Sequence, residues 1–254
     1  MTLLAEIPED GAAGTVARTY DDIRAVFAVP FVVLVYRALA VVDRRLEGVW
    51  ATVRPNLLDP EAQGQAAAIA PAAPAPPPGA GDLALRAAAT LDAFDRVNRR
   101  NAVVLSALLH GHDAPDAPVA PAAPAPTAPT AILPRADPAA LPPALRARLE
   151  RVSGLLAGDE RPVVIPTLLR HLASDVDLLD AVLARLERDL PGERHRADLE
   201  AIDAAVRAAA RALPYAVPPA ADAGTRAIVV RFARTIPAMV AAAPLIGAAI
   251  AQPA

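Results

Sequence analysis

Two stretches in which proline recurs every few residues limit the fold of this chain more than any other feature. The first, 71–79, reads PAAPAPPPG, and the second, 114–143, consists largely of alanine and proline. Proline lacks a backbone N–H and restricts the residue before it, so neither stretch can continue a helix. Both are typical of extended, semi-stiff spacers, and the second divides the chain near its middle.

Outside these spacers the composition favours helices. Alanine accounts for 64 of the 254 residues, and lysine and cysteine are both absent. Ala, Leu and Arg are among the strongest helix formers, and apolar residues recur at helical spacing. We therefore predict an all-α fold, with helices near 13–28, 31–53, 60–69, 82–98, 100–110, 143–157, 164–189, 196–212 and 225–250.

The two halves of the chain also resemble each other. PFVVLVYRALA at 30–40 matches VVIPTLLRHLA at 163–173, and Phe94 corresponds to Phe232 further along. The matches occur in the same order in both halves, as expected for an internal repeat.

The sequence thus predicts two pseudo-symmetric helical repeats joined by a linker rich in alanine and proline. Repeat 1 spans 1–113 and contains the proline-rich insert 71–79. The linker spans 114–143, and repeat 2 spans 144–254.

Composition excludes several functions. Without cysteine there is no disulfide, thiolate metal site or cysteine nucleophile. A net charge of -3 and 3% aromatic residues argue against nucleic-acid binding. No phosphate-binding loop or metalloprotease motif occurs, so we expect no cofactor and no metal. His110 and His112 could suggest a metal pair, but a cap at a helix C-terminus explains them better.

We expect a cytoplasmic protein that does not cross a membrane. The first ten residues carry three acids and no basic residue, unlike a secretory signal. Two apolar runs, 25–42 and 227–251, are interrupted by arginine and proline. An arginine at the centre of a membrane span is costly, so both runs are predicted to be buried core helices.

Four segments resemble the group I 2-haloacid dehalogenase family. TYDDIRAVFAVPFVVLVYRALA at 19–40 resembles its opening motif, and AFDRVNRRNAVVLSAL at 93–108 resembles a later segment. RHLA at 170–173 and RFAR at 231–234 fit the family order. A more distant similarity is to alkylhydroperoxidase-like helical folds, whose peroxidatic chemistry the absence of cysteine excludes here.

This resemblance implies an all-helical, two-repeat homodimer whose active site lies between the repeats. It implies a hydrolase that cleaves the carbon–halogen bond of short 2-haloacids without a cofactor. An Asp of repeat 2 and an Asn of repeat 1 would activate the water that attacks the halogen-bearing carbon. A carboxylate in an apolar pocket can act as a general base, and an amide can orient the water.

Transferred to this chain, the resemblance gives a mixed site. The water-positioning residue corresponds to Asn98. The expected Ser-Asp pair falls on Thr167 and Leu168, so the activating carboxylate is missing. The remaining positions expected to contact the substrate are Phe31, Leu34, Asn101, Phe232 and Arg234.

Two other side chains could supply a base. Asp95 precedes Asn98 by three residues and shares its helix face, although the nearby arginines also suit a solvated ion pair. His171 follows Arg170 in the segment expected to face repeat 1. It could be a base in the pocket or an interior histidine bonded to the backbone.

Three functions remain open from the sequence. The first is hydrolysis of 2-haloacids or related carboxylic acids. The second is a binding protein for small carboxylic or halogenated acids that has lost the catalytic base. The third is a structural protein whose pocket is filled by leucine and alanine side chains.

Overall fold

The computed structural model describes residues 4–114, 131–158 and 164–251. Within these ranges the regular structure is helical, apart from one isolated antiparallel bridge between His112 and Val217. The all-α prediction is therefore confirmed for the described part of the chain.

Ten α-helices occur in the described ranges. They are α1 (Gly14–Phe27), α2 (Leu34–Leu39), α3 (Arg45–Leu58), α4 (Pro60–Ala68), α5 (Asp82–His110), α6 (Pro143–Ala157), α7 (Thr167–Leu172), α8 (Val176–Asp189), α9 (Glu193–Arg211) and α10 (Ala223–Ala251).

Four predicted helices are divided or joined differently in the structure. The predicted helix 31–53 is two helices, because Arg44 adopts a left-handed backbone (φ 57°) that interrupts them. The predicted helix 164–189 is also two, because Asp175 caps a new helix and accepts a hydrogen bond from the Leu178 N–H at 2.9 Å. The predicted helices 82–98 and 100–110 form one helix, α5, which contains neither Pro nor Gly.

The core is built around α5 and α10, the two longest helices, which pack chiefly against each other. α10 continues through Pro237 and Pro244, although each proline removes a helical hydrogen bond. Its length and composition would suffice to cross a membrane, but 72% of its most apolar window is buried inside the protein. Such burial is typical of the core helix of a globular protein.

Helix lengths recur in part along the chain, with α4 and α9, of 9 and 19 residues, as the pair that differs. Helices α1, α2, α3 and α5 have 14, 6, 14 and 29 residues, and α6, α7, α8 and α10 have 15, 6, 14 and 29. In each set, a backbone hydrogen bond joins the segment before the first helix to the second helix. The Ile7 N–H donates to the Arg37 carbonyl at 3.1 Å, and the Ala136 N–H donates to the Arg170 carbonyl at 2.9 Å. The division into two repeats stays a prediction, and this order is compatible with it.

The proline-rich stretches pack against the helices where the structure describes them. Of the predicted linker, 115–130 lie outside the described residues. Leu133 is buried, and its N–H donates to Thr90 Oγ1 at 2.9 Å. In the insert 71–79, Ala73 and Pro74 lie against Gly247 of α10.

This last contact predicts opposite effects of two Gly→Ala substitutions. A Cβ at Gly247 would lie 2.9 Å from Pro74 Cδ, whereas a Cβ at Gly64 of α4 would meet nothing within 4 Å. We expect Gly64→Ala to raise the free energy of unfolding by up to about 1 kcal/mol. We expect Gly247→Ala to lower it by about 1–3 kcal/mol, because the insert must move. Urea unfolding measures both; equal stabilisation by the two variants would contradict the packing of the insert.

Candidate functional site

A small cavity lies where α2, α5, α7 and α10 meet. Its volume is about 50 Å³, which is room for a few water molecules or a fragment of similar size. Five residues assigned to the active site by sequence line it: Leu34, Asn98, Thr167, Leu168 and Phe232. The structure therefore brings together residues that are more than 130 positions apart in the chain. We call this space the Asn98 cavity.

The wall of the cavity includes the first residues of two short helices and two residues on one face of α5. α2 begins at Leu34 and α7 begins at Thr167, so both short helices start at the cavity. α5 contributes Phe94 and Asn98, which lie one turn apart on the same face.

Of the wall formed by α10, the sequence interpretation included Phe232 but missed three further residues. Thr235, Ile236 and Met239 follow Phe232 at i+3, i+4 and i+7, so the helical period could have identified them. The remaining lining residues are Val33, Val35, Val164 and Pro166.

The polar groups of the cavity are few. Asn98 is half-buried, and its amide makes no hydrogen bond to another residue in the described ranges. The Thr235 hydroxyl donates a hydrogen bond to the Arg231 carbonyl at 3.2 Å. The Thr167 hydroxyl makes no hydrogen bond to another residue in the described ranges. The amide of Asn98 and the hydroxyl of Thr167 are thus available to a ligand in an otherwise apolar space.

The structure places the expected carboxylate position inside the cavity. Thr167 and Leu168 both contribute to the wall, and Leu168 is 3% exposed. No Asp or Glu occurs among the described residues that line the cavity. A water molecule beside Asn98 therefore has an amide to orient it but no carboxylate there to accept its proton.

Asp95 is buried, but it does not line the Asn98 cavity. Its Oδ2 accepts a hydrogen bond from Arg99 at 2.8 Å. Arg99 in turn donates to the carbonyls of Ala67, Ala70 and Pro71, which lead into the proline-rich insert. Burial raises the pKa of Asp95, and the neighbouring Arg99 opposes that rise. The hydrogen bond from Arg99 to the Pro71 carbonyl connects the start of the insert to α5.

The other three predicted site residues also lie outside the cavity lining. Asn101 is fully buried and accepts a hydrogen bond from the Tyr36 hydroxyl at 2.7 Å. Arg234 is exposed on α10. Phe31 stacks on Phe94, with ring centroids 4.1 Å apart, and lines a neighbouring cleft.

Two wider clefts adjoin the cavity. One, of about 530 Å³, shares Leu34 and Val164 with it and includes the side chains of Arg146 and Arg170. The other, of about 280 Å³, shares Thr167 with it and includes His171. No group of three or more His, Asp or Glu side chains within the described ranges could hold a metal ion.

Solved structures share this fold. A structure described as a complex of a D-2-haloacid dehalogenase mutant with D-2-CPA gives a TM-score of 0.74 at 15% identity and covers 98% of this chain and 95% of that chain. A complex of D-2-haloacid dehalogenase with L-LA gives 0.73 at 15% identity, with coverage of 98% and 96%. No family model and no curated protein matches the sequence. The chain has the helical fold of the D-2-haloacid dehalogenases.

The ion pair between Asp95 and Arg99 predicts a large effect on stability. We expect Asp95→Ala to lower the free energy of unfolding by roughly 3–5 kcal/mol, because it leaves the charge of Arg99 buried without its partner. The matched control is Asp92→Ala, which removes an exposed pair with Arg96 of the same i,i+4 spacing. Its expected cost is about 0.5 kcal/mol or less. Similar losses for the two variants in urea unfolding would contradict this role of Asp95.

Proposed function

We propose that this protein binds short 2-haloacids in the Asn98 cavity and hydrolyses their carbon–halogen bond by direct attack of water. The observation that carries the proposal is the half-buried, unengaged amide of Asn98 in an apolar space between four helices. The fold shared with D-2-haloacid dehalogenases supports it.

The reaction balances without a cofactor. The oxygen of water forms a bond to C2 of the acid, and the halide leaves with the electron pair of the carbon–halogen bond. A proton from the water passes to a base and then to solvent, so the products are a 2-hydroxyacid, a halide ion and a proton. The Asn98 amide would orient the water through hydrogen bonds, while apolar walls surround the alkyl group and the halogen.

The two-repeat organisation belongs to the same proposal. The recurring order of helix lengths supports it, as do the matching bonds to the Arg37 and Arg170 carbonyls. In this arrangement α2 and α5 of the first repeat and α7 and α10 of the second each contribute walls to one cavity.

A second candidate function is binding without catalysis. The observation that favours it is the lack of a carboxylate among the described lining residues of the Asn98 cavity. A protein of this kind would retain the apolar walls and the amide, and would hold small carboxylic or halogenated acids unchanged.

The experiment compares binding and turnover of 2-chloropropionate. We expect the wild-type protein to be stabilised by the acid in a thermal-shift titration and to release chloride. Met239→Trp should abolish both effects, because the larger ring fills the cavity that Met239 lines.

The control is Leu85→Trp, which introduces the same side chain at a position 51% exposed on α5. It should behave as the wild type. Binding without chloride release would favour the second candidate, and unchanged binding by Met239→Trp would contradict the cavity as the site.

A further inference from the structure

We propose that His171 is the general base for the attacking water, in place of the carboxylate missing at position 168. This inference rests on the proposed function, since it names the proton acceptor for that reaction. It assigns a role to a side chain outside the Asn98 cavity, one for which the sequence favoured an interior histidine bonded to the backbone.

His171 lies one helical turn from Leu168, the position where a carboxylate was expected. His171 follows Leu168 by three residues and Thr167 by four on α7, so the three side chains are neighbours on the surface of that helix. Leu168 lines the Asn98 cavity, and His171 lines the adjoining cleft of about 280 Å³. Thr167 lines both spaces. The substitute base is thus displaced by one helical turn from the expected position.

The ring of His171 is held in one tautomer. Its Nδ1 lies 2.6 Å from the carbonyl oxygen of Leu133, and a carbonyl can only accept a hydrogen bond. Nδ1 therefore carries the hydrogen of the neutral ring, and Nε2 is left as the basic atom. The ring also contacts Phe94 and Phe31, with centroid distances of 5.2 and 6.2 Å, which fix its orientation.

The surroundings keep this imidazole neutral. Burial lowers the pKa of His171, the bond to Leu133 raises it, and the positive charges of Arg135, Arg170 and Arg37 lower it further. Glu9 is the one acid among the described residues that line the cleft, and it accepts a hydrogen bond from Arg24 at 2.9 Å. The net result is a pKa below the ordinary value of a histidine, which favours the neutral form of the ring.

The cleft also contains a group suited to the substrate. Arg135 lines it, is exposed, and forms no ion pair with any other residue that the structure describes. A guanidinium binds a carboxylate through paired hydrogen bonds. An acid lying across Thr167 would direct its carboxylate towards Arg135 and its halogen or alkyl group towards the Asn98 cavity.

The proposed hydrolysis step balances in protons and electrons. Nε2 of His171 takes a proton from water while the water oxygen bonds to C2 and the halide departs with the bonding pair. The imidazolium formed returns its proton to solvent through the cleft.

The test is the substitution His171→Asn. Its amide N–H can replace Nδ1–H as the donor to Leu133, but it supplies no base. We expect halide release from 2-chloropropionate to fall roughly 10²–10⁴-fold in kcat, while the thermal shift produced by the acid is retained. The wild-type pH–rate profile should have an acidic limb, at a pH below the ordinary pKa of histidine, that is absent from the variant. Added imidazole should restore part of the rate.

The control is His112→Gln, which changes another histidine bonded to a backbone carbonyl, that of Leu213 at 2.7 Å. It should retain the wild-type rate. An unchanged rate or a retained acidic limb in His171→Asn would overturn the role of His171 and leave the proposed hydrolysis standing. No halide release by the wild type would overturn the hydrolysis itself and this inference with it.

A second variant applies if His171→Asn does not fold. This variant is His171→Gln, which also carries a side-chain N–H for the Leu133 carbonyl and supplies no base. It should show the same loss of halide release and the same loss of the acidic limb, while the thermal shift produced by 2-chloropropionate is retained. A wild-type rate in a folded His171→Gln protein would overturn the proposal.

Discussion

The packing of α5 against α10 is the interaction on which the rest of the structure depends. Both helices are long, and each places large apolar side chains at the contact, including Phe94 on α5 and Phe232 and Met239 on α10. Burial of each such side chain contributes roughly 1.5–3 kcal/mol to the stability of the fold. The Asn98 cavity is the gap that remains where the short helices α2 and α7 meet this pair. Its size and polarity are therefore set by core packing, and its one amide lies on α5, which packs chiefly against α10.

The distribution of acids explains why the proposed hydrolysis needs a base other than a carboxylate beside Asn98. The position expected to hold a carboxylate is occupied by Leu168, and the nearest acid in sequence to Asn98, Asp95, is engaged with Arg99 beneath the proline-rich insert. Leu168 has no titratable group, and Asp95 is held in a buried ion pair. His171 is buried and lines a cleft that shares Thr167 with the Asn98 cavity; Leu133 fixes its ring, and its lowered pKa favours the neutral form. One helical turn separates the two positions.

Sequence predicted the fold class, which followed from composition and helical periodicity. Five of the residues that sequence assigned to a site, among them Asn98, Thr167 and Leu168, line one cavity, and their role stays a prediction. The sequence did not predict which residues of a helix line the cavity, because that depends on how the helices pack against one another. Asn101 is only three residues from Asn98, yet it is bound by Tyr36 instead of lining the cavity. The i,i+4 spacing of Asp95 and Arg99 indicated an ion pair. Its burial was not predicted, because the Ala-Pro sequence of the insert has no periodicity that shows which residues the insert packs against.

The central claim is that a short 2-haloacid occupies the Asn98 cavity, and a crystal structure with 2-bromopropionate tests it most directly. Bromine can be located by its anomalous scattering independently of the rest of the ligand. We expect a bromine peak among Phe94, Phe232 and Met239, with the carboxylate on the side of Thr167. A bromine peak in the cleft beside Arg146 and Arg170, or no peak in the cavity at a concentration that stabilises the protein, would contradict it.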